Sequence, residues 1–139
     1  MADLYPFEFF VPGTPLSLQA STKSKERWKC TIKKAAWDRV HETDWHGFLD
    51  GRPLSLTVYY FTVEEMVGDV DNIVKWIMDA LIGVAYLDDK TVERVVVQKF
   101  EPEVDWSFVN PSEQLTAALD TDPPVVYVRV DDDLGWRTL

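Results

Sequence analysis

The chain holds a single cysteine, Cys30, among its 139 residues, which excludes an internal disulfide and any zinc site built from several thiolates. Only His41 and His46 could supplement it, so zinc is not expected. Apolar runs are short as well. None approaches the roughly 18 residues needed to cross a bilayer, and no membrane association is expected. The N-terminus lacks a basic region followed by an apolar stretch, so no signal peptide is expected and the cytoplasm is the expected compartment. No glycine-rich loop of the phosphate-cradling kind occurs. Basic charge is the remaining shortage: Lys and Arg total 14 against 24 Asp and Glu, for a net charge of -10. The pI near 4.5 opposes the approach of a polyanion at long range.

What the chain does have is enough apolar material for one folded domain over residues 1–139, with 46% hydrophobic and 13% aromatic residues, a balance that argues against disorder. Its few cations are also concentrated. Residues 21 to 40 carry seven Lys or Arg against two acids, whereas residues 67 to 139 carry six against fifteen. On a helix running from about Ser24 to His41, Lys23, Arg27 and Lys34 line one side and Lys29 and Lys33 another, as candidate phosphate contacts. Trp28, Ile32, Ala35 and Ala36 supply its buried face. Cys30 reads as a small buried side chain on this helix, and Trp37 and Trp76, like Trp28, as core. Trp45 and Trp106 fall in loops, where they could stack on unpaired bases.

Acid is concentrated in residues 69 to 84 (DVDNIVKWIMDALIGV) and the pair that follows, Asp88 and Asp89. Wound as a helix at about 100° per residue, the segment gathers Asp71, Asn72, Lys75 and Asp79 within roughly one 100° sector. Ile73, Ile77, Ala80, Leu81 and Val84 form the opposite stripe, with Val74 and Trp76 at its edges. A carboxylate at the start of such a helix, Asp69 or Asp71, can cap free N–H groups, which accounts for one acid and not for the set. Lys75 can form an i,i+4 pair with Asp71 or Asp79. The set suits a divalent cation held by hard carboxylate oxygens. An EF-hand is excluded, because Ile73 stands where a third oxygen ligand is needed and no glycine follows it.

The spacing D-x-D-N-x-x-K-x-x-x-D-A-L-x6-D-D-x-x-V, dense over residues 69 to 92, resembles the signature of the RusA-type Holliday junction resolvases. More loosely, so do the flanks: Val11 to Pro15 (V-P-G-x-P), the basic helix, and the strand Leu54 to Thr62. The resemblance implies a small mixed sheet with two main helices and a homodimer. The implied enzyme is a bacterial or phage-encoded crossover junction endodeoxyribonuclease that nicks four-way DNA in recombination and repair. Asp69, Asp71 and Asp89 match the family's metal-binding acids, with Asp88 the alternative to Asp89, and Lys75 matches its essential lysine. The implied cofactor is Mg²⁺, with Mn²⁺ able to substitute. Such chemistry needs acids, because phosphodiester hydrolysis builds negative charge on phosphorus oxygens and carboxylates hold a cation against it. Asp79 and Asn72 read as supports for the ligands. Glu64 and Glu65 depart from the basic residues expected beside a DNA backbone.

Two other readings compete. One is a nuclease for flaps or other branched DNA. The other is a non-catalytic acidic module, either a DNA mimic or a protein-binding surface, which would want distributed acid and no lysine amid it. The clustering of acids around Lys75 favours the enzyme. Along the chain, strands are expected at Tyr5 to Val11, Leu54 to Thr62, Thr91 to Phe100 and Val125 to Val130, with a short helix at Ser112 to Leu119 capped by Ser112. The order β, α, β, α, β, α, β implies an α+β fold. Asp131 to Asp133 reads as a solvated turn or tail, and the acidic stretch from Glu101 onward matches no pattern.

Overall fold

A computed structural model describes residues 6–15, 21–43, 52–66, 70–133 and 135. The observed order is β1 (Phe7–Pro12), α1 (Thr22–His41), β2 (Leu54–Phe61), a 3-10 turn (Val70–Ile73), α2 (Val74–Leu81), a second 3-10 turn (Asp89–Thr91), β3 (Val92–Phe100), α3 (Glu113–Leu119) and β4 (Val125–Asp131). This is the expected α+β sequence of elements. Among the described residues there are three α-helices, the two main ones that the resemblance implied and the short one expected after Ser112. Ser112 caps it as expected, accepting from the Leu115 N–H at 3.1 Å.

The strands form one mixed sheet in the order β1-β4-β2-β3. β2 and β3 run parallel, with Leu54 opposite Val92 and Phe61 opposite Phe100, so the connection through α2 is a βαβ crossover. β4 is antiparallel to both β1 and β2. The alternation in β2 suggests a half-buried strand, but Ser55 is also buried, because β2 is an inner strand flanked by β4 and β3 and partly covered on both faces. On one face Phe7, Phe9, Leu54, Leu56, Val58, Val126, Val128 and Val130 meet Trp28, Ile32 and Ala36 of α1 and Ile77, Ala80 and Leu81 of α2. The alternate residues of the strands face the other way. There Phe61, Phe100, Val125 and Tyr127 pack with Leu115 and Ala118 of α3.

Two side chains on α1 depart from expectation. Trp37 is exposed and stacks on His41 at 5.9 Å between ring centres, and Cys30 is exposed rather than buried. Both lie off the Trp28, Ile32, Ala36, Val40 stripe that α1 turns to the sheet. Trp76 is partly buried against the core, with the Lys25 ammonium 5.0 Å from its ring centre.

Ile77 is fully buried at the centre of the α2 packing. Ile77→Ala is expected to lower stability by about 2–5 kcal/mol through forfeited transfer energy and the cavity left behind. Urea unfolding followed by circular dichroism measures it, and a loss under about 1 kcal/mol would mean that α2 does not hold the core together in the way its burial implies.

Candidate metal and nucleic-acid site

The segment read as one helix from 69 to 84 is built in pieces. Val70–Ile73 is a 3-10 turn, and the α-helix starts only at Val74 with Ile73 at its N-cap position and no side-chain capping bond. The aspartate beside it is therefore not spent as a cap there: Asp71 is exposed. Asp69 and the loop residues Trp45 and His46 lie outside the described residues. Helix α2 stops at Leu81. Ile82 is extended and Gly83 takes a φ of 84°, a left-handed conformation for which glycine is suited, so the helix cannot continue to Val84. The apolar stripe is as expected, with Ile73, Ile77, Ala80, Leu81 and Val84 all buried.

The short loop after α2 is a packed connection between the helix and the second acidic pair. Val84, Ala85 and Tyr86 are buried, the Gly83 N–H donates to the Tyr86 carbonyl at 2.7 Å, and the Tyr86 hydroxyl donates to the Met78 carbonyl at 2.8 Å. Burial pushes that hydroxyl well above the usual phenol range, and the carboxylates of Asp89 and Asp79 push it the same way. Asp79 from α2 and Asp89 from the following turn are thus electrostatically close to one buried group. Sequence reasoning does not single out Tyr86. The apolar run Val84 to Leu87, inside what reads as a loop, is the available signal.

Asp88 and Asp89 divide the work that adjacency leaves open. Asp88 caps the second 3-10 turn, its Oδ1 accepting from the Lys90 N–H at 3.0 Å. Asp89 is half-buried at the start of that turn, where β3 begins. Lys75 pairs with Asp79 at 3.2 Å, its side chain 57% exposed. An exposed i,i+4 pair of this kind is worth only about 0.3–0.5 kcal/mol, so the ammonium is easily redirected to a phosphate. The Val70–Ile73 turn packs against β3. Among the described residues no three His, Cys, Asp or Glu side chains are grouped closely enough to hold a metal ion.

The basic helix lies beside α2. Lys29, Cys30 and Lys33 of α1 line a groove of about 440 Å³ with Asp79, Ala80 and Ile82 of α2. Lys29 is partly held by Glu26 at 3.4 Å. On the other side, Lys23 and Arg27 are exposed, and Lys34 is exposed while pairing with Asp38 at 3.0 Å. Lys25, not among the expected contacts, is occupied by the face of Trp76.

A parallel βαβ unit with Asp71 on a 3-10 turn, a lysine on the next helix and a second acid before the returning strand defines a class of small α+β protein with acids displayed beside a basic helix. The family model described as endodeoxyribonuclease RusA matches residues 17–105, more than half of the chain, and the protein belongs to that family of DNA endonucleases. No curated protein matches the chain.

Proposed function

We propose that this protein is a Mg²⁺-dependent, structure-selective endonuclease that resolves four-way DNA junctions by paired symmetric nicks and acts as a homodimer in recombination and repair. The observation that carries the reading is the extent of the family match: it takes in α1, β2, α2 and β3, and with them every candidate residue from Lys23 to Asp89. Asp69, Asp71 and Asp89 are the proposed ligands. Their hard oxygens are the donors that Mg²⁺ prefers, and the exposure of Asp71 and partial exposure of Asp89 leave those oxygens accessible. Mn²⁺ would fit the same donors. Bound there, the cation would supply positive charge at the scissile phosphate and an activated water.

The chain's own residues do the rest. Lys75 offers its ammonium to the phosphate oxygens as their charge grows, and Asp79 holds it in reserve until then. Tyr86 remains protonated and fixes the end of α2 through Met78, which keeps the turn carrying Asp89 in register with the helix. Lys23, Arg27, Lys29, Lys33 and Lys34 bring the DNA backbone to α1, against the net charge of the whole. Two symmetric nicks need two sites related by a twofold axis, which a dimer supplies. β3 supports this: it is an edge strand, it pairs only with β2 among the described residues, and its Val95 is exposed. An edge strand is a template for pairing with another chain.

The test is incubation of purified protein with end-labelled four-way junction, flap and linear duplex, with and without Mg²⁺. Paired nicks at symmetric positions in the junction, absent in chelator, are the expected result. Preference for the flap would favour the branched-DNA alternative, and no cleavage of any substrate would leave the acidic binding module. Charge reversal at Lys23, Arg27 and Lys34 together should weaken junction binding and flatten its salt dependence, by a slope of about 0.9 for each duplex phosphate that is no longer neutralised. An unchanged slope would place the phosphate-binding residues elsewhere.

A further inference from the structure

The acidic final third builds a second surface, on the sheet face opposite α1 and α2. Phe61 and Phe100, both buried, form the floor of a pocket of about 240 Å³ walled by Pro102, Trp106, Leu119 and Pro123. Trp106 packs edge-on to Phe100 and tilted against Phe61, both at 5.4 Å between ring centres, yet it remains 43% exposed. Val104 and Val109, in the same loop, are also exposed. The side chains that line the pocket alternate in sequence with acids. Glu101 and Glu103 flank Pro102, Asp105 precedes Trp106, and Asp120 and Asp122 surround Thr121 beside Leu119 and Pro123. Glu101 is paired with Lys99, whereas Glu103, Asp105, Asp120 and Asp122 are exposed. Residues 101 to 122 include no Lys or Arg.

We propose that this pocket docks a partner protein through a short basic segment carrying one apolar anchor side chain. Its volume lies below the roughly 300–1,000 Å³ of sites for drug-sized ligands and suits a single aliphatic or aromatic side chain. A rigid aromatic floor with an exposed Trp is the kind of surface on which binding energy concentrates. The rim decides the occupant. The exposed carboxylates of Glu103, Asp105, Asp120 and Asp122, each next in sequence to a lining residue, repel a nucleic-acid backbone and attract Lys and Arg beside the anchor. The surface is separate from the helices that carry the candidate nuclease residues, so a docked partner leaves them open.

The test is panning of a phage-displayed library of random dodecapeptides against the full-length chain, repeated with two variants. Expected is enrichment of peptides with Lys or Arg on both sides of one Leu, Ile, Phe or Trp, and at least tenfold weaker binding of the corresponding synthetic peptide in 0.5 M NaCl. Trp106→Ala should lose the enrichment. So should the combined Glu103→Gln, Asp105→Asn, Asp120→Asn and Asp122→Asn variant, whose changes are all at exposed positions and should leave the thermal unfolding midpoint and junction cleavage unchanged. No enrichment, enrichment of neutral or acidic peptides, or binding indifferent to both variants would overturn the proposal. So would displacement of the peptide by an oligodeoxynucleotide, or salt-sensitive self-association abolished by the same variants, since either names a different occupant.

Discussion

Asp71→Asn and Asp89→Asn should each reduce Mg²⁺-dependent junction cleavage at least 100-fold, and Asp69→Asn should do the same, while the thermal unfolding midpoint and the oligomeric state stay as in the wild type. Each change keeps the shape of the side chain and removes one unit of charge from the proposed ligand set, and a 100-fold loss corresponds to about 2.7 kcal/mol of transition-state stabilisation. The fold should tolerate it. Asp71 is exposed on its 3-10 turn and Asp89 only half-buried, so neither contributes to the core. Asp88→Asn is the informative contrast, because Asp88 is engaged as the cap of the turn: a small loss of stability is expected, with most of the cleavage retained. Single-turnover assays on a labelled junction measure all four variants. Near-wild-type nicking by the Asp69, Asp71 and Asp89 variants would reject the ligand assignment.

The second large effect concerns binding without chemistry. A chain of net charge -10 must bring a polyanion to a cluster of its own carboxylates. With the cation removed by chelator, junction binding should be weak. In Ca²⁺, which fills an oxygen site and is expected to support little hydrolysis, binding should tighten by an order of magnitude or more. Asp71→Asn should bind in chelator at least as well as the wild type, because the repulsive charge has been reduced. Titration of labelled junction with both proteins in both buffers separates the outcomes. Tight binding by wild type in chelator would place the acids away from the phosphate and favour a DNA-binding role for the chain without cleavage at this site.

Most elements are legible because their signals are local. The two-residue alternation of Leu54, Leu56, Val58 and Tyr60 specifies β2, the 3.6-residue stripe of Trp28, Ile32 and Ala36 specifies the buried side of α1, and Ser112 marks the start of α3. The errors arise where tertiary context overrides the period. Periodicity continues smoothly through Asp71 and past Leu81, but the backbone at both ends leaves α geometry, first as a 3-10 turn and then through extended Ile82. Trp37 and Cys30 are misplaced when residue type is given more weight than helical phase. In the site, adjacency of Asp88 and Asp89 cannot say which is free. The capping bond from the Lys90 N–H distinguishes them, and it depends on turn geometry that no spacing encodes. The βαβ pairing of Leu54 with Val92 and the burial of Tyr86 are long-range facts of the same kind.

The position of β4 governs how the chain can come to be folded. It is the last of the four described strands in sequence and yet lies between β1 and β2, so Phe7 pairs with Val130, far along the chain. As the nascent chain leaves the ribosome, β1 has no strand partner among the described residues until β4 has been made, and the region that the family model matches holds neither of the two. Non-local pairing of this kind slows folding, and synthesis from the N-terminus prolongs the wait. During that interval Phe7, Phe9 and Val11 can meet α1 but lack the β4 neighbours that complete their place in the core, so the sheet closes only after β4 has been made.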